Sequence, residues 1–355
     1  MRECLLRIKP GNKGIYRYIH MKKNIIALLE KVAKSDKKQG LPILSFPAAQ
    51  KLGVTVEELV KDSELQAKAI ETVAHATQTI AAISLMDLSV EAEAFGATVK
   101  FAPDEVPAIV GQLVADEAEA DALEVPTLDK GRASVCVEGI RLAAERITDK
   151  PVLAGMIGPF SLAGRLMDVT EIMYLCYDEP DMVHKVLEKA TVYLIEYAKA
   201  FKAAGASGVM MAEPLAGIMS PAMAAEFSVP YVKRIIEAVQ DEDFALIYHN
   251  CGNAVLTMAE EIFSQGASAY HFGNAVDMEK MLEKAPSNTV CMGNIDPVSR
   301  FADGTPESMT EAVNRLLDGC AKYPNFVISS GCDIPHHSSW ENIDAFFEAV
   351  AQWRK

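Results

Sequence analysis

The stretch ALIYHNCG (245–252) is an apolar run that ends in His249-Asn250-Cys251. In an extended chain, side chains two residues apart point to the same side, so this imidazole and this thiol face one common point. Two soft ligands aimed at one point suggest a metal ion but cannot hold one alone. Cys332, in SSGCD (329–333), offers a third. One imidazole, two thiolates and an open fourth position make an established catalytic zinc set. The competing reading is packing, because cysteine is among the most buried residue types and a strand-end histidine is often a hydrogen-bonded core residue. Residue types alone leave both readings open. Cys136, Cys176, Cys291 and Cys320 lie in apolar runs or helical patterns and read as packing residues. Adjacent histidines diverge in most backbones, so solvent is the expected surrounding of at least one of His336 and His337.

Eight short apolar runs punctuate the chain: PILSF (42–46), SLMDLS (84–89), VLAGMIG (152–158), GVMMAEP (208–214), ALIYHNCG (245–252), ASAYHFG (267–273), TVCMGNID (289–296) and FVISSGCD (326–333). Helical patterns such as 180–205 and 308–323 lie between them. Eight strand candidates alternating with helices predict parallel β/α units, and no G-x-G-x-x-G follows the first run. The fold expected from this count is an α/β (β/α)8 TIM barrel, with a hairpin and helices inserted after the second strand over 94–129. Functional groups of such a barrel gather at the C-terminal ends of its strands. His249, Cys251 and Cys332 would then share one mouth with Glu213, His271 and Asp296, and Asp87 falls near its edge.

The bulk composition narrows the function classes. Asp and Glu (49) outnumber Lys and Arg (34), giving a net charge of −15, which repels nucleic acid, and no basic stripe argues otherwise. No apolar run is long enough to span a membrane. Seven scattered cysteines do not form a disulfide framework, which points to a reducing, cytoplasmic setting. Residues 1–20 are basic and aperiodic. They read as an extension, either a disordered arm or the product of a misassigned start codon, with a transit peptide as a third option. Residues 21–355 read as the folded unit.

Several stretches in order along the chain resemble the uroporphyrinogen decarboxylase superfamily, and within it the methylcobamide:coenzyme M methyltransferases. They are DLSVEAEAFG (87–96), GPFSLAGRLM (158–167), AEPLAGIMSP (212–221), YHNCGNA (248–254), GNIDP (293–297) and SSGCDIPHHSSWENIDAFFEAV (329–350). The methyltransferase branch is known for a zinc held by H-x-C and a later Cys in a Ser-Gly-Cys context, which match His249, Cys251 and Cys332. The decarboxylase has a histidine at the last of these positions and an arginine-bearing motif after its first strand. Here that place reads SFPAAQKLGV, without arginine. One departure from the methyltransferases is Asn274, where an acidic residue is expected after the sixth run. Glu213, His271 or water would then complete the zinc shell.

The resemblance implies a reaction. A small thiol such as coenzyme M, deprotonated by Zn2+, takes the methyl group of a methylcobamide carried on a corrinoid protein, and the products are a thioether and Co(I). Asn250, Asp333 and Glu213 are candidates to orient the His249 imidazole, and Glu213 reads equally as a cap on the next helix. Arg165 and Arg300 are the cations available to a sulfonate or carboxylate on the acceptor, or they are surface residues. The expected partners are the corrinoid protein and the thiol, on a monomer or homodimer. Competing readings are another thiol acceptor, uroporphyrinogen decarboxylase itself, and a non-catalytic corrinoid- or metal-binding member.

Overall fold

The computed structural model describes residues 24–354. The extension expected over residues 1–20 lies outside them. Among the described residues nine strands are formed: β1 (Ala82–Ile83), β2 (Thr98–Ala102), β3 (Glu105–Val110), β4 (Val152–Ile157), β5 (Gly208–Ala212), β6 (Ala245–Asn250), β7 (Ala269–Phe272), β8 (Val290–Ile295) and β9 (Phe326–Ser330). Seven of them make one parallel sheet in the order β1-β4-β5-β6-β7-β8-β9. The inserted hairpin is β2 and β3, paired antiparallel, and helices Glu117–Ala122 and Ala133–Arg146 follow it.

The expected closed eight-stranded barrel is not what forms. The sheet is an open, curled half-barrel whose edges stand 12 Å apart. The missing strand is the first apolar run, 42–46, and local chemistry explains why it carries no ladder. Pro42 has no amide to donate. The Ile43 amide donates to the side-chain hydroxyl of Ser330, and the Ile43 carbonyl accepts from Ile334, beyond the end of β9. Around it, isolated bonds tie the chain to its neighbours: Leu41 N–H to the Ile328 carbonyl, the Ser329 hydroxyl to the Leu41 carbonyl, and Ile80 N–H to the Gly40 carbonyl. The second run, 84–89, is not the strand either: β1 is Ala82–Ile83, just before it, and after that short pairing with β4 the chain turns into helix Val90–Ala94.

The two faces of the sheet follow the period of two. Val209, Met211, Leu246, Tyr248, Tyr270 and Ile328 point outward into a large core shared with the helices. Met210, Ile247, Ala269, Met292 and Val327 point into the curl, where Leu41, Ile43 and Ile83 join them. Helix Ile25–Lys34 buries Ile25, Leu29, Val32 and Ala33 in that same inner cluster, so its apolar stripe caps it. Continuing the inward alternation by one step brings β6 to His249, β7 to His271 and β9 to Ser329. A polar layer therefore sits on the apolar column.

The helices are set by ordinary local signals. Thr55 with Glu58 and Thr305 with Ser308 make reciprocal capping boxes, and Pro180 and Pro306 occupy first-turn positions where no amide is needed. The last helix, Trp340–Gln352, buries Phe346 against Phe301 at 5.4 Å between ring centres, and the ring also presses on Gly40. Phe346→Ala is expected to destabilise the fold by about 3–5 kcal/mol in urea denaturation. A loss under about 1 kcal/mol would mean that this contact does not anchor the helix to the sheet.

Candidate metal centre

The β5–β6 and β6–β7 ladders fix the centre. Ala212 pairs with His249, and His249 pairs with His271, so the two imidazoles stand side by side on neighbouring strands. Cys251 lies just past the end of β6 and Cys332 just past the end of β9. The ligand atoms of His249, Cys251 and Cys332 all lie within 4.8 Å of one another, the one such cluster of three or more His, Cys, Asp or Glu residues among the described residues. His249 Nε2 is 3.7 Å from Cys332 Sγ. Bonds of about 2.0–2.1 Å to nitrogen and 2.3 Å to sulfur at the tetrahedral angle would separate two such atoms by roughly 3.6 Å. The donor set and its spacing fit a zinc-type ion.

Close backbone approach holds the loop after β6. A side chain on Gly273 would place its Cβ 2.5 Å from the Cys251 Cα, so only glycine lets the β7 loop lie against the ligand loop. Gly252 is pressed in the same way on the backbone of Gly217. Asn250 secures the turn: its side-chain amide donates to the Glu213 carbonyl and the Tyr248 hydroxyl, and its Oδ1 accepts from the Gly252 amide. Asn250 thus holds the loop and does not bond the imidazole.

The two thiols are coupled. A hydrogen bond from Cys332 lowers the Cys251 thiol to about 7, against its burial, and the same bond together with burial pushes Cys332 up to about 12. One proton shared between the sulfurs thus makes the first ionisation easy and the second hard, and a bound cation would make the second easy as well. Burial drives the other thiols upward, to about 12 at Cys136, Cys176 and Cys320, as packing residues should behave.

Behind the ligands stands a chain of hydrogen bonds. His249 Nδ1 is 2.8 Å from His271 Nδ1, His271 Nε2 is 2.7 Å from Ser329 Oγ, and Ser329 Oγ donates to the Leu41 carbonyl at 2.6 Å. All three side chains are 2% exposed or less. Burial, with the His249 ring beside it, drives His271 well below its ordinary pKa. His271, considered from the sequence as a fourth ligand, therefore lies behind His249 and holds its ring.

The remaining expected residues fall elsewhere. Glu213 is wholly buried and accepts from the amides of Phe160 (3.0 Å) and Ser161 (2.6 Å) at the start of helix Pro159–Met167. That is the capping role, at a helix end that favours negative charge. Asp87 is buried in an ion pair with Arg132, which also bonds Glu93 at 2.7 Å. Asn274 donates to Asp296 at 3.0 Å and backs onto Gly331. Asp333, beside Cys332, is half-buried with its Oδ1 shielded and without a hydrogen bond, and desolvation raises its pKa well above the ordinary value. Arg300 lines a groove of about 460 Å3 beside the end of β8, whereas Arg165 is not among that groove's residues. Neither arginine is ion-paired with a described residue. His337 is exposed and His336 half-buried.

Sequence reasoning did not single out Ser329, the Leu41 carbonyl or Arg132. Ser329 was within reach, because the period of two in FVISSGCD places it on the inward face. Nothing local in the sequence marks Arg132 as the partner of Asp87.

Glu213 carries a pH signature. Desolvation pushes its carboxyl up to about 7, so its contribution to stability is full below about 4.5 and is lost as pH rises through about 7. Urea denaturation between pH 5 and pH 8 should therefore show a smaller decline for Glu213→Gln than for the wild type. Equal declines in the two proteins would assign the charge penalty to other groups.

Comparison with known proteins adds to the geometry. The family model described as uroporphyrinogen decarboxylase (URO-D) matches residues 38–353. The chain is 25% identical over 82% of its length, and 87% of the relative's, to the methylcobamide:CoM methyltransferase MtbA of Methanosarcina acetivorans. Against MtbA of Methanosarcina mazei it is 27% identical, covering 82% and 86% of the two chains. It is also 27% identical to the uroporphyrinogen decarboxylase of Xylella fastidiosa, over 68% and 70%. Among solved structures, a methyltransferase from Methanosarcina mazei shares the fold with a TM-score of 0.81 at 22% identity, covering 93% of this chain and 98% of the other. A B12-independent methionine synthase from Shewanella sp. W3-18-1 superposes more loosely, with a TM-score of 0.56 at 16% identity over 88% and 94%.

Proposed function

The chain belongs to the uroporphyrinogen decarboxylase family, and from that premise we propose that it is a zinc-dependent methyltransferase, moving a methyl group from a methylated corrinoid on a partner protein to a small thiol. The family alone does not choose this activity, because decarboxylases and methyltransferases both resemble the chain. The observation that carries the choice is the clustering of His249, Cys251 and Cys332 within 4.8 Å. A decarboxylase has no use for two thiols and an imidazole converging on one point.

His249, Cys251 and Cys332 would hold the ion through Nε2 and the two Sγ atoms. When bound, zinc supplies positive charge that deprotonates a coordinating thiol, and two thiolate ligands leave that sulfur electron-rich. The chain's own residues set the stage. Gly273 and Gly252 keep the ligand loop close-packed, Asn250 pins it, and His271 holds the His249 ring. In the overall reaction the thiol sulfur forms the new S–CH3 bond while the Co–C bond breaks with both electrons going to cobalt. The thiol proton leaves to solvent, and the products are a thioether and Co(I).

The corrinoid must reach the rim at the carboxyl ends of the strands, since the methyl group has to come within bonding distance of the sulfur. Support for docking there comes from Ile218 and Val298, which follow β5 and β8 and are 53% and 52% exposed. Arg300, unpaired in its groove, is the cation we assign to an anionic group on the acceptor. Coenzyme M is the acceptor suggested by the relatives' names. No described helix is long and apolar enough to cross a membrane.

The test combines metal analysis with turnover. Protein purified without added metal should hold about one zinc per chain, and Cys332→Ala should lose most of it. With methylcobalamin and coenzyme M, the wild type should form the methyl thioether, and the variant should fall by at least about 100-fold. No zinc in the wild type after supply and washing would withdraw the proposal.

A further inference from the structure

The hydrogen-bond chain behind His249 has a direction, and its direction follows from counting protons. A backbone carbonyl only accepts. The single proton of the Ser329 hydroxyl is therefore committed to the Leu41 carbonyl, at 2.6 Å. With that proton spent, Ser329 Oγ can only accept from His271, so the His271 proton sits on Nε2, 2.7 Å away. His271 is fully buried and pairs with no carboxylate among the described residues, so it is held neutral, with one N–H. Its Nδ1 is then a bare lone pair. The facing atom, His249 Nδ1 at 2.8 Å, must donate into it. In the neutral ring this leaves His249 Nε2 with a lone pair alone, and that atom is the one 3.7 Å from Cys332 Sγ.

We infer that His271 and Ser329 are positioning residues which, anchored on the Leu41 carbonyl, lock His249 in the Nδ1–H tautomer and keep its Nε2 bare for a metal ion. The inference rests on the metal-centre reading given above, but its core is a statement about the metal-free protein. A histidine free to choose would carry its proton on either nitrogen, and the wrong choice would block coordination until the proton moved. Here the choice is made by a group that cannot reverse its role. The usual partner of a ligating imidazole is a carboxylate or a backbone carbonyl. In this chain a second imidazole takes that place, and it passes the requirement on to a carbonyl 208 positions away in the sequence (Leu41 to His249). A neutral relay adds no negative charge beside the two thiols, unlike a carboxylate.

Two measurements test this separately from the function. The first is nitrogen-15 NMR of the histidine rings in metal-free wild type, with the His249 signals assigned by their loss in His249→Gln. The expected spectrum has His249 protonated on Nδ1 and His271 on Nε2. Protonation of His249 on Nε2, or rapid exchange between the two forms, overturns the inference whether or not the protein proves to be a methyltransferase. The second is zinc affinity by competition with a chromophoric chelator, for wild type, Ser329→Ala and Ser329→Thr. Ser329→Ala should bind zinc about 10- to 100-fold more weakly, and Ser329→Thr, which keeps the hydroxyl, should stay near wild type. Zinc affinity of a folded Ser329→Ala equal to wild type overturns the relay. If Ser329→Ala does not fold, or if the wild type binds no zinc and the metal reading fails, the ring spectrum of the wild type decides alone.

Discussion

All seven strands of the main sheet run in one direction, and that single fact fixes everything at the rim. Parallel strands deliver their carboxyl ends to the same side, and the register of the ladder then decides which residues meet there. Ala212 opposite His249, and His249 opposite His271, follow from pairings set several residues earlier, at Gly208 with Ala245 and Ile247 with Ala269. Shifting any of these strands by one residue would turn His249 or His271 out toward the helices and bring Tyr248 or Tyr270 inward. The apolar column of Met210, Ile247, Ala269, Met292 and Val327 resists that slip, because every member would have to exchange places with a residue of the outer layer. The chemistry at the top is held in register by packing below it.

Buried acids near the rim are handled in three different ways. Asp87 is neutralised by Arg132, Glu213 is met by two amides at a helix start, and Asp333 is driven toward its protonated form by burial beside Cys332. Each route avoids leaving a bare carboxylate in a region of low dielectric. Among the described residues, His249, Cys251 and Cys332 are the one set of three or more His, Cys, Asp or Glu side chains whose ligand atoms converge. A chain with an overall charge of −15 thus keeps its internal negative charge under local control.

The site was far more legible in the sequence than the closure of the fold. His249 and Cys251 declare themselves by a spacing of two in an apolar run, and Cys332 by its place at the end of another run. The inserted hairpin and the long helices were also readable, since turn residues and apolar spacing are local signals. The first strand was not. PILSF has the composition of a strand, yet Pro42 lacks an amide and Ser330 captures the Ile43 amide, which are effects of one residue's chemistry and of a distant neighbour. Asp87 and Glu213 stood where the pattern put them, near strand ends, but their partners Arg132, Phe160 and Ser161 are matters of tertiary contact. Periodicity tells which face a residue lies on and is silent about what meets it there.

The open edge of the sheet gains meaning from what crosses it. Residues 40–46 bridge the seam between β1 and β9 with isolated hydrogen bonds instead of a continuous ladder, and packing holds them there, with Leu41, Ile43, Leu44 and Phe46 buried. The Leu41 carbonyl that receives the Ser329 proton belongs to this stretch. Were the seam to widen, that acceptor would be withdrawn and Ser329 freed to turn its hydroxyl toward His271, so the lock holds only as long as the seam does. Packing at the sheet's edge is in this way tied to proton placement on a ring two strands further in. A piece of backbone outside the sheet acts as the mechanical ground for a polar contact inside it.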